Sequence, residues 1–387
     1  MAALPNRTEV LVVGAGPVGL AVAASLAGHG HDVTVVDRQE AGANTSRAAV
    51  VHPRTLEMLE RIGVSKRLTE LGIHVRHFDI RDGDRTLVPI RFDSLRTDYQ
   101  YALMVPQSVT EQVLLDRLEE LGGSVHRPYV ATGLRQTEAG AEVTLDSGAV
   151  IEARYVVAAD GMNSAIRDLA GLGYDGGDEL PLSFALADVR VEGGLPDDQV
   201  LLYFSTPGML VVAPLPDGSF RLVAEVDDAP EHPDVAYAQR LLNIRGPRRT
   251  TARVTEVIWG SRFRIHERVA DKYRNGRVLL AGDAAHTHSP AGGQGMNLGL
   301  RDAVTLGDAL SVALRDGNEG KLDEYATASR AEAVRVVALA HRLTRLATAP
   351  AALRPARNLA LRLLSQVPAF SRGLAEQLAA TGHRSSH

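Results

Sequence analysis

Short apolar runs mark the start and the later part of the chain. Residues 10–13 and 278–281 each hold four consecutive apolar positions, and residues 33–36 are three valines around a threonine. Such runs are typical of strands that are buried on both faces. An alanine-rich helical stretch at residues 20–27 separates the first two runs. The order strand, helix, strand predicts a parallel sheet with helices packed against it.

The middle of the chain has a different pattern. Residues 76–81 and 86–92 alternate on either side of Asp82-Gly83 and predict a hairpin, and alternation returns between residues 182 and 263, with a second hairpin turn at Asp217-Gly218. Helical spacing is found at residues 109–121, from Met296 through Leu310, and again in residues 321–387, where the helices are predicted to break at Pro350, Pro355 and Pro368.

These patterns predict an α/β fold, α+β when the whole chain is considered. A discontinuous, Rossmann-like dinucleotide-binding domain is expected over residues 1–72, 104–180 and 270–320. An antiparallel β-sheet domain, inserted at residues 73–103 and 181–269, is expected to bind the substrate, and residues 321–387 are expected to form C-terminal helices.

Composition narrows the function classes. The 387 residues are 45% hydrophobic and 23% charged, with a net charge of −5, which argues against a nucleic-acid binder. The absence of cysteine excludes disulfides, thiolate nucleophiles, iron–sulfur clusters and thiolate-ligated haem, so redox chemistry would require a bound organic cofactor.

The amino terminus lacks a signal-peptide core and no apolar run is long enough to span a membrane, so a cytoplasmic protein is expected. Ten Lys and Arg against four Asp and Glu after residue 320 favour a solvated helix face over contact with a membrane surface.

The first strand leads into a dinucleotide fingerprint. Gly14, Gly16 and Gly19 form a GxGxxG motif between a strand and a helix, and Asp37 ends the second strand, where an acid would meet a ribose hydroxyl. The motif leaves FAD and NAD(P) as alternatives. Arg38 is either a residue that brackets the adenine or an ordinary surface arginine.

Two further segments carry candidate site residues. Arg47 lies in a polar loop, where an arginine beside a dinucleotide serves phosphates or ring edges, whereas His52 and Arg54 are interpreted as a helix N-terminus. Asp160-Gly161 follows a predicted buried strand and either caps the next helix or contacts the same ligand.

The stretch from residue 277 to residue 297 combines a buried strand, Asp283 at its carboxyl end, a glycine-rich loop and a helix that opens near Met296. Ligands of open α/β sheets lie outside the carboxyl ends of the strands. The helix N-terminus would stabilise a ring that becomes anionic on reduction. Asp283, His286 and His288 offer side chains of the kinds that bind metals, but binding of the organic ligand is the favoured role of this loop.

The chain resembles the single-component FAD-dependent aromatic hydroxylases of the para-hydroxybenzoate hydroxylase group. The resemblance is carried by three motifs, which are Gly14-x-Gly16-x-x-Gly19, Asp160-Gly161 and the segment from Gly282-Asp283 to Asn297. The resemblance implies that Asp37 binds the adenosine ribose and that Gln107 and Asp283 bind the ribityl chain. It implies that the backbone at Met296 and Asn297 cradles the flavin ring. Asp160 to Arg167 would lie near the pyrophosphate with contacts to FAD and NAD(P)H, and Arg47, the one catalytic candidate, near the flavin and the nicotinamide path. The remaining candidates for cofactor binding are Arg38, Gly282, Pro290, Gly293 and Gly295.

The resemblance also implies a reaction. Non-covalent FAD, reduced by NAD(P)H, would react with O2 to a C4a-hydroperoxide that hydroxylates an aromatic small molecule, as in antibiotic biosynthesis. Apolar strands with Phe204, Met209, Phe220 and Trp259 would suit a polycyclic polyketide, although these side chains equally suit a core. Baeyer–Villiger oxygenation, substrate oxidation and a non-catalytic FAD-binding protein remain as alternatives.

Overall fold

The computed structural model describes residues 4–42, 48–174, 183–227, 229–249, 251–264, 267–289 and 292–380. The helices are α1 (Pro17–Gly28), α2 (Pro53–Glu60), α3 (Ser65–Leu71), α4 (Gln107–Glu120), α5 (Ala165–Leu169), α6 (Val235–Arg245), α7 (Gly295–Asp316), α8 (Gly320–Ala347), α9 (Arg354–Leu364) and α10 (Pro368–Ala379). The strands of the first half are β1 (Arg7–Val13), β2 (Val33–Val36), β3 (Val50–Val51), β4 (Ile73–Val75), β5 (His77–Asp82), β6 (Arg85–Arg91), β7 (Ala102–Met104), β8 (Val125–His126), β9 (Ala131–Gln136), β10 (Ala141–Leu145) and β11 (Val150–Ala158). Those of the second half are β12 (Ser183–Glu192), β13 (Gln199–Ser205), β14 (Gly208–Pro214), β15 (Phe220–Val226), β16 (Arg253–Arg264), β17 (Arg268–Val269), β18 (Arg274–Asn275), β19 (Val278–Leu280) and β20 (His286–Thr287).

The apolar runs form the centre of a parallel sheet, as predicted. The order β19-β11-β1-β2-β8 is parallel throughout, with β18 added antiparallel at one edge and the β9–β10 hairpin attached to β11. Alternate residues of β1 point to opposite faces, so that Val10 and Val12 pack with helices α1, α4 and α7, whereas Leu11 and Val13 join a second core. Because β1 lies between β2 and β11, the chain reverses its direction of winding beside β1, where such sheets bind ligands.

Seven strands form a second sheet in the order β16-β12-β15-β14-β13-β5-β6. The predicted antiparallel pattern is confirmed for every neighbouring pair except β13 and β5, which are parallel because the hairpin β5–β6 joins from a distant part of the chain. One face packs on α6 and the other on the C-terminal helices α9 and α10. The α/β fold class with its added antiparallel sheet and C-terminal helices is therefore confirmed.

A small third sheet was not predicted. Strands β3, β7 and β4 pair antiparallel, which connects the segment after residue 48 to the two ends of the β5–β6 region. Strands of two or three residues carry too short a pattern to be recognised.

The C-terminal helices differ from expectation at one proline. The helical tail breaks near Pro350 and before Pro368, but Pro355 lies in the first turn of α9. A proline fits there because first-turn N–H groups have no intrahelical acceptor. Within the described residues, no helix combines the length and the apolarity that crossing a membrane would require.

Candidate dinucleotide site

Four strand ends meet at one edge of the parallel sheet. The backbone N–H of Gly14 donates to the carbonyl of Val36 at 2.8 Å, and Ala159 N–H donates to Val13 at 2.8 Å. Ala281 N–H continues the ladder to the carbonyl of Ala158 at 3.0 Å. The structure therefore brings the fingerprint, Asp37, Asp160 and Gly282-Asp283 together, although they are spread over 270 residues of sequence.

The three fingerprint glycines meet different constraints. A Cβ on Gly14, whose φ is +104°, would lie 2.3 Å from the carbonyl oxygen of Ala159, and a Cβ on Gly19 would lie 1.9 Å from that of Gly14. Gly16 precedes α1 with ordinary backbone angles, and a Cβ there would meet nothing within 4 Å. Gly14 and Gly19 thus serve the tight turn and helix packing, whereas Gly16 leaves open space at a helix N-terminus, which fits a pyrophosphate.

Asp37 lies directly beside this turn. Its Oδ2 accepts a hydrogen bond from Ala15 N–H at 2.6 Å and its Oδ1 from Gln39 N–H at 2.8 Å. These two bonds fix the carboxylate next to Gly14 and Gly16, and each oxygen retains a further lone pair for a hydroxyl. The neighbouring Arg38 is exposed.

Asp160 both caps a helix and keeps one oxygen for another partner. Its Oδ2 accepts from the N–H groups of Ala165 at 2.8 Å and Ile166 at 3.4 Å, while Ser164 caps α5 through a bond from Arg167 N–H. Its Oδ1 is buried and accepts no hydrogen bond from the described residues. Burial raises the pKa of this carboxyl. A buried acceptor without a donor is costly, so this oxygen fits a hydroxyl or a water held by a ligand.

Arg167 lies behind the edge rather than on it. Its guanidinium is 5% exposed and donates to the carbonyls of Met162 at 3.0 Å and Ala284 at 3.3 Å. It also pairs with Asp168 at 3.0 Å and stacks 3.9 Å from the ring centre of Tyr174. In the structure Arg167 links the Asp160 turn to the Asp283 turn, so its effect on a cofactor would pass through these turns.

Asp283 is exposed at the same edge, in a single 3-10 turn, Gly282–Ala284. Gly282 has a φ of +63° and lies so close to α1 that a Cβ would be 2.8 Å from Val18. The next α-helix, α7, begins only at Gly295 and is preceded by Gln294, which makes no side-chain capping bond. Asp283 is therefore not the cap of the following α-helix.

The glycine-rich loop is held by Asn297. The Asn297 amide donates to the carbonyls of Gly293 at 2.8 Å and Val50 at 2.9 Å, and its Oδ1 accepts from His52 N–H at 2.7 Å. A Cβ on Gly293 would lie 2.3 Å from Val50. Because these bonds engage the side chain of Asn297, its backbone is the part left for a ring; the cradling of the ring by the backbone at Met296 and Asn297 stays a prediction.

Two predicted site residues are not described by the structure, and a third, Gln107, has protein partners. Arg47 and Pro290 lie outside the described residues, so both stay sequence predictions. Gln107 begins α4, its Nε2 donates to Glu111 at 2.8 Å, and its Oε1 accepts from Ala48 N–H at 3.4 Å.

His52 was interpreted as part of an ordinary helix N-terminus, and this interpretation is incomplete. The residue does precede α2, but its ring is buried and Nε2 donates to the carbonyl of Gly292 at 2.8 Å. Burial lowers the pKa of His52 to about 4, so the ring is neutral. The rings of Phe78 in β5 and of Phe92, which directly follows β6, each lie 6.4 Å from it, centre to centre. No local pattern could reveal this contact, since Gly292 is 240 residues away.

The two histidines of the late motif are turned to protein partners. His286 Nε2 lies 2.7 Å from Oδ2 of Asp302 in α7, and His288 Nδ1 lies 2.7 Å from the carbonyl of Ser289. Burial lowers the pKa of His288 to about 4. In the described part of the chain no group of three His, Cys, Asp or Glu residues is arranged to hold a metal.

The second sheet presents an apolar wall towards this region. Leu202, Val211 and Val223 are direct cross-strand neighbours on β13, β14 and β15, and all three are partly exposed among buried residues. Their apolar cluster includes Val50 and Leu378, which also contact Gly293 and Gly292 of the glycine-rich loop. The loop and the sheet therefore contact the same apolar cluster.

Comparison with known proteins gives consistent matches. The family described as FAD binding domain matches residues 7–340. Rifampicin monooxygenase of Streptomyces venezuelae is 36% identical over 326 residues, which are 82% of this chain and 67% of that protein. 6-Methylpretetramide 4-monooxygenase of Streptomyces rimosus is 37% identical over 368 residues, 90% of this chain and 63% of that protein. The chain thus spans about two thirds of the length of these relatives. The crystal structure of p-nitrophenol 4-monooxygenase from Pseudomonas putida superposes with a TM-score of 0.86 at 25% identity, covering 99% of this chain and all of that one.

Proposed function

The chain belongs to the FAD binding domain family, and from this membership we propose that it is a monooxygenase that holds FAD at the carboxyl edge of its parallel sheet. The observation that carries the proposal is the convergence of Gly16, Asp37, Asp160 and Asp283 on that edge, with open space beside Gly16 and an unpaired oxygen on Asp160. We propose that the cofactor is bound non-covalently; the lack of cysteine excludes a thioether link.

Each part of the cofactor has candidate partners. The adenosine ribose would bind Asp37, with Arg38 near the adenine, and the pyrophosphate would bind the N-terminus of α1 at Gly16, supported by Gly14 and Gly19. Asp160 and Arg167 would hold the middle of the cofactor and the approach of NAD(P)H. The ribityl hydroxyls would donate to Asp283 and bond to Gln107. The ring would lie on the backbone of Gly282, Gly293, Gly295, Met296 and Asn297, with Pro290 beside it and Arg47 on the nicotinamide side.

The reaction is the NAD(P)H- and O2-dependent hydroxylation of an aromatic small molecule. Bound FAD supplies the activation of oxygen, which no side chain of the described residues can perform. The residues around it position the ring, stabilise negative charge with the N-terminal N–H groups of α7 and keep water from the apolar space. We place this reaction in the cytoplasm, where NAD(P)H is present.

The substrate is proposed to be polycyclic and apolar. Leu202, Val211 and Val223 offer a flat apolar wall, with the stacked rings of Phe184 and Phe263, 5.7 Å apart, in the same cluster. Two relatives are named for rifampicin and for 6-methylpretetramide, which supports a polyketide-type substrate and a place in antibiotic biosynthesis. The division into a discontinuous FAD domain and an inserted substrate domain is proposed with the boundaries predicted above.

A three-step experiment tests the function. The purified protein should be yellow and should release FAD on acid precipitation. Stopped-flow reduction by NADH and NADPH should accelerate when a polycyclic phenol substrate is present. Under 18O2 the product should gain one labelled oxygen on a ring carbon. An unlabelled dehydrogenated product would identify an oxidase, an ester would identify Baeyer–Villiger insertion, and FAD without any NAD(P)H-dependent reduction would identify a non-catalytic protein.

A further inference from the structure

Helix α9 is oriented with its polar residues inward. Arg357 is buried, and its guanidinium donates to the carbonyls of Leu346 at 3.0 Å, Ala347 at 2.9 Å and Phe204 at 2.7 Å. The neighbouring Asn358 is also buried and donates to Asp82 at 3.0 Å. These bonds fix the rotation of the helix, because turning it would leave a buried cation and an amide without partners.

The same rotation buries Leu361 and places the other leucines outward. Among the described residues, thirteen large hydrophobic side chains are strongly exposed, and five of them fall between residues 353 and 367. They are Leu353 (59% exposed), Leu359 (58%), Leu363 (57%), Leu364 (46%) and Val367 (51%). These five residues are the α9 face. Pro355, Ala356 and Ala360 continue it, and the one exposed charge within α9 is Arg362. A clustered apolar surface of this kind indicates a binding partner.

The positive charge around the α9 face favours an anionic partner. Residues 333–375 contain seven arginines and no aspartate or glutamate, in a chain whose net charge is −5. Arg345, Arg362 and Arg372 are exposed, and Arg345 is close to α9 because Arg357 binds the carbonyl of Leu346. A symmetric contact with a second copy would oppose two arginine-rich surfaces, whereas an anionic surface would neutralise them.

The charge count alone favours a solvated face, but the exposed leucines change that interpretation. We propose that the α9 face docks this protein on an anionic lipid surface. The leucines enter the boundary between headgroups and acyl chains, and the exposed arginines bind lipid phosphates. Helix α9 also packs on β13, which carries Leu202 of the apolar wall. A docked molecule therefore holds its apolar sheet face near the phase in which an apolar aromatic compound accumulates.

Flotation of the full-length, FAD-loaded protein with lipid vesicles tests this proposal. The protein should float with vesicles that contain phosphatidylglycerol, float much less with pure phosphatidylcholine, and lose binding as salt rises, because the electrostatic part is screened. Leu359→Gln with Leu363→Gln should weaken binding by roughly tenfold for the pair, since burying each leucine in lipid is favourable. Arg345→Gln with Arg362→Gln should weaken binding to anionic vesicles and leave the residual binding to phosphatidylcholine unchanged.

Matched controls separate docking from folding and from the proposed reaction. Leu71→Gln removes a leucine that is 45% exposed at the end of α3 and should bind vesicles like the unchanged protein. Flavin absorbance and melting temperature confirm that each variant is folded, and flotation does not depend on catalysis. No flotation with anionic vesicles, or equal flotation of the Leu359/Leu363 variant, would overturn the proposal. A dimer in sedimentation velocity that the leucine variant abolishes, without vesicle binding, would assign the face to a second copy instead.

Discussion

The carboxyl edge of the parallel sheet and the apolar wall of the seven-stranded sheet are built in different ways. At the edge, backbone turns and short acids form the site, with close backbone contacts at Gly14 and Gly19 and open space at Gly16. On the seven-stranded sheet, side chains such as Leu202 and Val211 form the wall, and their neighbours come from strands and helices far apart in sequence.

This difference decides what each region tolerates. A single carbon added at Gly14 or Gly19 collides with backbone, which cannot move without shifting a strand. A changed side chain on the wall alters the shape of a partly exposed space and leaves the hydrogen-bond ladders intact. We therefore expect the edge to control folding and FAD binding, and the wall to control the choice of substrate.

The strongest test of this comparison is a pair of glycine variants. Gly19→Ala places a Cβ 1.9 Å from the Gly14 oxygen, so we expect it to lose more than about 3 kcal/mol of stability or to fail to fold. Gly16→Ala meets nothing within 4 Å, so we expect it to fold normally but to bind FAD weakly. Melting temperature and FAD content measure both. If Gly16→Ala retains FAD with unchanged affinity, the space beside Gly16 does not hold the pyrophosphate.

His52 connects the two regions and gives a pH test. Its folded pKa of about 4 lies below the ordinary 6.5, so the unfolded chain binds more protons between these values and stability falls as pH drops from 6.5 to 4. The full effect is on the order of 3 kcal/mol.

His52→Gln keeps an N–H donor for Gly292 and removes the titration. We expect urea unfolding of this variant to depend less on pH over that window, while buried His288 retains its own similar contribution. An unchanged pH dependence would show that His52 does not titrate as a buried neutral ring. His52→Ala should additionally loosen the glycine-rich loop and weaken FAD binding, which His52→Gln should largely preserve.

Substitution of Asp283 tests how much a single hydrogen-bonding group at the edge contributes to FAD binding. Hydrogen bonds to a charged acceptor contribute about 1.5–3 kcal/mol, so Asp283→Ala should weaken FAD binding by roughly ten- to a hundredfold. Because Asp283 is exposed and does not cap α7, the melting temperature of the FAD-free protein should change little. FAD titration by flavin fluorescence and thermal unfolding of the same sample measure the two effects. A destabilised variant with full FAD affinity would remove Asp283 from the proposed site.

The smallest effect is expected on the wall. Val211→Ala removes two methyl groups from a partly exposed position, so the binding free energy of an apolar substrate that contacts it should weaken by about 1 kcal/mol. We expect a few-fold change in KM for a polycyclic substrate and no change in the FAD dissociation constant. Val212→Ala, on the opposite, fully packed face of the same strand, should lower stability and leave KM unchanged. If Val211→Ala alters FAD binding as much as KM, the two regions are not separate.

The sequence by itself determined the edge. Gly14, Gly16, Gly19, Asp37, Asp160 and Asp283 lie directly at the ends of apolar runs, and strand ends in a parallel sheet must converge. The local sequence pattern therefore predicts which residues lie together at the edge, without information on any long-range contact. The hairpins of the second sheet were predictable for the same reason, since turn and alternation are both local.

Only the tertiary structure decided the contacts that depend on which side faces the core. The buried ring of His52 supports the glycine-rich loop because it donates a hydrogen bond to Gly292. The parallel pairing of β5 with β13 joins strands more than a hundred residues apart. The clearest case is α9, where Arg357 is buried and bound to the carbonyl of Phe204, whereas Leu359, Leu363 and Leu364 are exposed. A sequence specifies the two faces of a helix, but the partners that can satisfy a buried arginine belong to other elements, and these partners determine the rotation of the helix.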